Sequence, residues 1–265
     1  MRIFVSAVPG RPHAETVQAA TRLHAAGFEP VPHIAVRNFA SAAEFDRIIA
    51  QLAGEAGVRR VLVIAGDRGE PAGPFHDARD AIDSGLLQRR GIVEIAIAGY
   101  PEGHPRLSQH ELDRALAQKI EIAEQVGLAV HIVTQFGFNA EAILAWIVRL
   151  RDFGIEHPVR IGLAGPTNMA TLLRYAARCG VRASAQGLAH GAGLMKQFFG
   201  MSAPDGLVRA LAQSRADGRL GRVAPHFFSF GGIAATARWA SHVAEGRIAL
   251  DPLDGFRLDP PRQKL

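Results

Sequence analysis

Short runs of apolar, often β-branched residues alternate along the chain with longer segments that have an amphipathic, helical period. Seven runs stand out, at residues 3–8, 30–36, 61–65, 93–98, 129–134, 159–164 and 225–230. Each run has the length of a buried strand, and the starts of the first six lie about 27 to 36 residues apart. A parallel neighbour needs a crossover of this length, so the pattern predicts βαβ units and a parallel sheet.

The predicted helices have recognisable ends. Ser41 with Glu44, and Ser108 with Glu111, are capping boxes that place helix starts at these positions. Further caps and stops are Asn139 before a helix over 140–153, Thr167 or Asn168 before a helix to residue 179, and Gly27, Gly154 and Gly180 at helix ends.

Eight βα units would close a TIM barrel, which is the predicted fold, with an open doubly wound sheet as the alternative. The gap from residue 159 to residue 225 is long enough for two units, and residues 181–185 are a candidate strand within it. We expect one barrel domain over residues 1–246, with the proline-containing residues 247–265 as an exposed C-terminal tail.

Composition narrows the class of protein. Hydrophobic residues make up 48% and charged residues 21% of the 265, which is typical of a globular protein. The single cysteine, Cys179, excludes a disulfide scaffold, and neither a secretory leader nor an apolar run of membrane-spanning length is present. We therefore expect a cytoplasmic protein that does not bind membranes.

The formal net charge is +5, and the excess arginine is spread along the chain rather than gathered in a stripe. Few aromatic residues are available to stack on bases, so no nucleic-acid partner is predicted. A mildly positive field suits an anionic small molecule. The sequence leaves open whether the protein forms a homo-oligomer.

Polar side chains lie in or directly after most of the apolar runs, among them His33, Asp67, Glu102, His104 and Gln135. In a parallel barrel these positions meet at the carboxyl-terminal rim, where active sites of this fold are built. The sequence contains neither a dinucleotide-binding glycine motif nor a P-loop, a zinc-protease helix or a nucleophile elbow. Four of these side chains could bind a metal, but without a closely spaced histidine pair no metal site is predicted.

Seven segments, in order, resemble methylenetetrahydrofolate reductases. They read PHIAVRN, VLVIAGDRGEP, IAIAGYPEGHP, QKIEIA, IVTQFGF, PVRIGLAGP and PHFFSFGG, and the resemblance extends from about Phe4 to Trp239. It implies a TIM barrel that holds FAD non-covalently. It also implies that NAD(P)H reduces the flavin and that the flavin exchanges hydride with the 5,10-methylenetetrahydrofolate and 5-methyltetrahydrofolate couple.

The resemblance also implies roles for individual residues. Asp67 would lie near the flavin and the pterin and tune hydride transfer, and Gln135 would hydrogen-bond the pterin; these two are the predicted catalytic residues. Phe136 would flank the pterin, and Phe228 is the further predicted substrate contact. The predicted cofactor-binding residues are His33, Gly66, Asp67, Phe75, Ala98, Tyr100, His104 and Lys119, with Lys119 suited to a phosphate. Glu102 belongs to the motif, and we expect it to pair with backbone or an arginine.

The family's first strand carries a glutamate that acts as general acid, and this sequence departs from that pattern. The segment FVSAVPG is followed, after room for one helix, by His33, so it corresponds to the family's second strand. If it replaces the first strand instead, an uncharged residue such as Ser6 stands at the acid position. Residues 181–185, a partner chain or sequence upstream of Met1 would have to fill the gap.

Three hypotheses for the function follow from these features. The first is a reductase that uses another proton donor, such as Glu102, His104 or water. The second is a folate- or flavin-binding barrel that lacks the usual acid and needs a partner chain. The third is a metal-dependent lyase or hydrolase that shares only the scaffold. The sequence also departs from the family near the expected FAD diphosphate, where Ala115 and Gln118 stand at positions at which the family tends to have polar or basic groups.

Overall fold

The computed structural model describes residues 1–181, 201–215, 218–252 and 255–258. Its contacts divide the chain into two compact units. The first contains Met1–Gly99 and His110–Val133, and the second contains Tyr100–Gln109 and Thr134–Leu265.

The first unit is built from alternating parallel strands and helices. In chain order its elements are β1 (Arg2–Val5), α1 (His13–Ala25), β2 (Glu29–Ala35), a 3-10 turn (Val36–Asn38), α2 (Ala42–Glu55), β3 (Arg60–Ile64), α3 (Ala78–Asp83), α4 (Leu86–Arg89), β4 (Glu94–Gly99), nearly all of α5 (Gln109–Gln125) and the first five residues of β5 (Ala129–Phe136). Strands β1 to β4 pair in parallel, with His33 opposite Leu62 and Arg60 opposite Glu94. Consecutive buried residues in β2, β3 and β4 are typical of parallel strands covered on both faces.

Charged side chains at the amino ends of β1 to β4 form a network that we call the charge ladder: Arg2, Glu29, Arg60 and Glu94. Arg2 lies 3.3 Å from Glu29 and 3.6 Å from Glu94, and Arg60 bonds both carboxylates. The imidazole of His131 on β5 adds a contact of 2.8 Å to Glu94. Burial alone would raise the pKa of Glu94, but the hydrogen bond from Arg60 and the neighbouring cations outweigh it and lower the pKa.

The second unit contains the end of β5 and the following elements. They are α6 (Ala140–Asp152), β6 (Val159–Ala164), β7 (Thr167–Asn168), α7 (Met169–Arg178), β8 (Met201–Ser202), α8 (Asp205–Arg215), β9 (Val223–Phe228), α9 (Ile233–Ala244), β10 (Ile248–Leu250) and β11 (Phe256–Leu258). Strands β6 and β9 pair in parallel, while β7 with β8 and β10 with β11 form short antiparallel pairs. Its core includes Phe136, Met169 and Leu172, with Phe228 packed against them.

The predicted α/β class is confirmed. Among the described residues seven strands form one sheet in the order β1-β2-β3-β4-β5-β6-β9, which is consistent with an incomplete barrel. Helix starts agree with the predicted caps, since the side chains of Ser41, Asn139 and Asn168 accept backbone N–H bonds at the starts of α2, α6 and α7. Gly27, Gly154 and Gly180 all have positive φ.

One strand boundary differs from the prediction. Strand β1 ends at Val5, three residues early, because Pro9 and Gly10 follow in a turn. One helix and no strand lies between β1 and β2, as predicted. Of the candidate strand 181–185, only Val181 is described and it is not in a strand; residues 182–185 lie outside the described residues.

The predicted tail contains the β10–β11 hairpin. Phe256 is 6% exposed, its ring lies 5.8 Å from that of Trp239, and Arg209 donates to the carbonyl oxygens of Asp251 and Gly255 at 2.6 and 2.9 Å. The division of the chain at residue 246 stays a prediction.

Candidate functional site

A cleft of about 520 Å³ lies at the carboxyl ends of β1, β2 and β3 in the first unit. This is the end of a parallel sheet at which the loops of barrel enzymes build their sites, and the volume is in the range of small-molecule sites. The lining residues are Ala7, Pro9, Gly10, Arg11, Pro12, His13, Ala35, Asn38, Glu44, Ile64, Gly66, Asp67 and Arg68. Two predicted site residues, Gly66 and Asp67, are therefore side by side in this cleft.

The turn after β3 presents Asp67, whose side chain is exposed. Gly66 precedes it with φ +93°, and a Cβ there would lie 2.9 Å from the Cβ of Ala35, so this position favours glycine for two reasons. Arg37 fixes the same loop by donating to the carbonyl oxygens of His76 and Arg68 at 2.6 and 3.1 Å. The turn thus holds a carboxylate at the edge of the cleft.

His33, on β2, is not among the residues that line the cleft. Its Nε2 atom is buried without a hydrogen-bond partner among the described residues, and its ring lies edge-on to Phe4 at 6.0 Å. Burial lowers the pKa of His33 to about 4, so the imidazole is neutral at pH 7. A buried, unpartnered polar atom of this kind is suited to a bound ligand.

Two other predicted cofactor contacts of the first unit lie apart from the cleft lining. The ring of Phe75 is 5% exposed and packs against Phe45 with a centroid distance of 4.9 Å. Ala98 is half-buried near the end of β4. Their contact with a cofactor stays a prediction.

Lys119, on α5, carries a largely desolvated ammonium group. Burial lowers its pKa to about 8, while the nearby carboxylate of Asp77 opposes the shift and Arg79 adds to it. Arg79 is itself engaged, because it pairs with Asp77 and donates to the side-chain oxygen of Gln118 at 2.6 Å. Lys119 is therefore the cation of this group whose positive charge would gain most from an anionic ligand.

In the second unit, the turn after β4 and the end of β5 line a pocket of about 20 Å³, which is room for about one water molecule. The predicted residues that it brings together are Tyr100, His104, Gln135 and Phe136, with Glu102 beside them. His104 lies edge-on to Tyr100 at 5.2 Å, and its Nδ1 accepts the N–H of Arg106 at 3.2 Å. Burial and the Arg106 charge lower the pKa of His104. Because Nδ1 accepts the N–H of Arg106, the neutral form of the ring carries its proton on Nε2.

Glu102 pairs with backbone, as expected from the sequence. Its Oε1 accepts the N–H groups of Phe138 and Asn139 at 2.6 and 2.7 Å. Its Oε2 is buried and has no hydrogen-bond partner among the described residues. Oε1 is thus committed to the backbone of residues 138 and 139.

The three predicted folate contacts of this unit lie close together. Gln135 uses its Oε1 to accept the N–H of Phe136 at 3.1 Å, which leaves its NH₂ group as a donor. The ring of Phe136 is 1% exposed and lies 5.3 Å from that of Phe228. Phe136 and Phe228 therefore pack against each other next to Gln135 in the chain, and their direct contact with a ligand stays a prediction.

Sequence reasoning missed the loop after β1 and the first residue of α1. Arg11 and His13 lie in the same cleft as Asp67, and the ring of His13 stacks on Phe39 with centroids 4.0 Å apart and planes inclined by 7°. The signal was available, because this loop follows the first apolar run just as the other polar segments follow theirs. It was overlooked because proline and glycine separate the run from its polar residues.

The described residues also bear on two other features, a metal centre and a membrane span. They contain no group of three or more histidine, cysteine, aspartate or glutamate side chains that could hold a metal ion. They also contain no helix both long and apolar enough to span a membrane.

Comparison with known proteins identifies a matching family and relatives of the same name. The sequence profile of the methylenetetrahydrofolate reductase family matches residues 7–217. A 5,10-methylenetetrahydrofolate reductase of Pectobacterium carotovorum is 30% identical over 158 residues, which are 59% of this chain and 50% of the relative. The Escherichia coli enzyme of that name is 28% identical over the same share of both chains. The match thus spans about half the length of these curated relatives.

One solved structure shares the fold. An uncharacterized protein from Clostridium thermocellum, whose structure binds two copies of 5-methyl-5,6,7,8-tetrahydrofolic acid, superposes with a TM-score of 0.56 at 12% identity, covering 92% of this chain and 94% of the other. At this identity the likeness concerns the fold alone. The profile match over most of the chain, together with the motifs in their predicted order, establishes that the chain belongs to the methylenetetrahydrofolate reductase family.

Proposed function

We propose that the protein interconverts 5,10-methylenetetrahydrofolate and 5-methyltetrahydrofolate, with NAD(P)H as the source of reducing equivalents and FAD as the cofactor. The observation that carries this proposal is the cleft at the carboxyl ends of β1 to β3, with Asp67 held at its edge by Gly66 and Arg37. The folate ligand of the Clostridium thermocellum protein and the family membership support the substrate class.

The first unit contains groups that fit FAD. The buried Nε2 of His33 lacks a partner among the described residues, and the desolvated Lys119 would gain from a phosphate. When bound, the flavin supplies the hydride-transferring ring. Asp67 would oppose negative charge on a reduced ligand beside it, and neutral His33 would give or accept a single hydrogen bond.

In the second unit we assign recognition of the folate pterin to Gln135. Its NH₂ group is the free end of the amide, because its Oε1 is engaged by Phe136. It would therefore donate to an acceptor atom of the pterin, and the buried ring of Phe136, which packs against half-buried Phe228, supports the strand end.

Opening the methylene bridge requires a proton, and the loop after β1 contains no carboxylate between Ser6 and Pro12. We assign this proton to His13, which lies in the Asp67 cleft and whose ring is fixed by stacking on Phe39. The His13 ring would donate a proton to the folate nitrogen as its carbon–nitrogen bond breaks, and solvent would restore that proton to the ring. His13→Gln should lower folate turnover by about a hundredfold while oxidation of NAD(P)H by an artificial acceptor persists.

The absorbance spectrum of the purified chain and an NAD(P)H-dependent assay with methylenetetrahydrofolate test the function. Flavin absorbance and folate-dependent NAD(P)H oxidation are expected. Bound flavin or folate without turnover would favour the second candidate, a binding protein that needs a partner chain, which the missing carboxylate after β1 supports. A chain that binds neither ligand would overturn the proposal.

A further inference from the structure

Glu102 links two separate segments of the second unit. It lies in the turn after β4, and its Oε1 accepts backbone N–H groups from Phe138 at 2.6 Å and Asn139 at 2.7 Å. Asn139 is the cap of α6, so the carboxylate sits at the positive end of a 13-residue helix. Hydrogen bonds from two N–H groups to one charged oxygen are strong and fix the accepting and donating segments together.

The neighbouring glycine makes this approach possible. A Cβ on Gly137 would lie 2.6 Å from the same Oε1 and 3.0 Å from the carboxyl carbon of Glu102. These distances are too short for any side chain, so the carboxylate occupies the space that a larger residue would need. Gly137 also donates to the carbonyl oxygen of Gly162 on β6 at 3.3 Å, which ties the turn to the sheet.

The surroundings of both carboxylate oxygens of Glu102 favour a positioning role for this residue. Oε2 is buried without a hydrogen-bond partner among the described residues, while Oε1 is committed to the two backbone N–H groups. Burial raises the pKa of Glu102, and the two backbone N–H groups oppose this shift. The contacts of Glu102 are therefore those of a residue that joins two segments of the chain.

We propose that Glu102 is the positioning residue that holds residues 135–139 in place and thereby aims the side-chain NH₂ of Gln135 at the ligand. Gln135 lies three residues before Phe138, and Glu102 and Gln135 line the same small pocket. Because Gln135 is assigned to folate only in the proposed function, the consequence for folate rests on that function. The anchoring of residues 135–139 does not.

Four variants of the full chain test the inference: Glu102→Ala, Glu102→Gln, Gly137→Ala and, as a control, Glu141→Ala. Glu141 is an exposed carboxylate in the first turn of the same helix. Affinity for 5-methyltetrahydrofolate is measured by calorimetry, and hydrogen exchange is measured on the peptide that covers residues 135–142.

Glu102→Ala and Gly137→Ala should weaken folate binding by about tenfold and speed exchange of the 138 and 139 amides. Glu102→Gln keeps an oxygen acceptor and should stay within about threefold of the wild type, as should Glu141→Ala. A glutamine variant as weak as the alanine variant would overturn the positioning role in favour of a charged or proton-donating one. Unchanged exchange in Glu102→Ala would overturn the anchoring itself. Wild-type protein that binds no folate would overturn the proposed function instead, and the exchange experiment would still decide whether Glu102 anchors the segment.

Discussion

At the amino ends of β1 to β4, charged side chains pair across strands, whereas at the carboxyl ends of β1 to β3 they line an open cleft. The charge ladder joins each of its arginines to two carboxylates. In the cleft, Asp67 is exposed and forms no ion pair among the described residues. The same unit thus uses charge for cohesion at one end and leaves it available to a ligand at the other.

The difference follows from what each end has to do. Partly buried charges cost free energy unless they are paired and hydrogen-bonded, which the ladder achieves through register, since Arg2 pairs with Glu29 and Arg60 with Glu94 on neighbouring strands. A cleft that binds a ligand keeps groups unsatisfied until the ligand arrives. Loss of a ladder residue should therefore reduce stability, and loss of a cleft residue should reduce function.

The largest effect is expected from Glu94→Ala. It would leave Arg60, Arg2 and His131 without the carboxylate that they share, so the free energy of unfolding should fall by about 3 kcal/mol. Urea denaturation measures this change. Glu245→Ala, which breaks the exposed pair with Arg247, is the control and should change stability little. A small effect of Glu94→Ala would mean that the ladder adds nothing beyond an exposed pair.

Asp67→Asn probes the opposite end. It removes the charge that we assign to tuning hydride transfer, so kcat/KM for folate should fall by about tenfold, or about 1.4 kcal/mol, while flavin affinity changes less. Steady-state kinetics and a flavin titration measure the two quantities, and urea denaturation should show an unchanged midpoint. Full activity of this variant would show that the residue assignment carried by the family resemblance is wrong here.

The alternation of apolar runs gave the strands and their parallel pairing, because burial on both faces leaves a signal that local sequence carries. Helix caps such as Asn139 were equally visible. The ladder was not predicted, since pairing Arg2 with Glu94 depends on the arrangement of four strands. The anchoring of Phe138 by Glu102 and the stacking of His13 on Phe39 also join segments that are far apart in the chain, which no local pattern reveals.

Lys119→Met tests a buried charge whose burial is not outweighed by nearby opposite charges, in contrast to Glu94 in the charge ladder. The pKa of Lys119 is about 8 in the folded state and 10.5 ordinarily. Below pH 8 the folded protein carries a buried charge that lowers its free energy of unfolding, and this destabilisation disappears as pH rises beyond 10.5 because the lysine is then neutral in both states. The free energy of unfolding of the wild type should therefore rise between pH 8 and 10.5, whereas that of the variant should not. At pH 7 the variant should be the more stable protein. Urea midpoints at pH 7 and above pH 10.5 measure both effects. Arg114→Met, an exposed change on the same helix, is the control.

The last comparison concerns two imidazoles that both pack edge-on to the Phe4 ring, with centroids at 6.0 and 6.5 Å from its centre. His131 is paired with Glu94 in the ladder, whereas the Nε2 of His33 has no partner among the described residues. Because burial lowers the pKa of His33 from 6.5 to about 4, the unfolded chain binds this proton first, and stability should fall as pH drops between these values. The contribution of Glu94 is lost only at lower pH, since its pKa is held below the ordinary 4.5. His33→Gln should flatten the loss of stability between pH 6.5 and 4, measured by urea midpoints, while His110→Gln, an exposed change on α5, should preserve it. If both variants keep the full slope, His33 is not the group whose titration produces it.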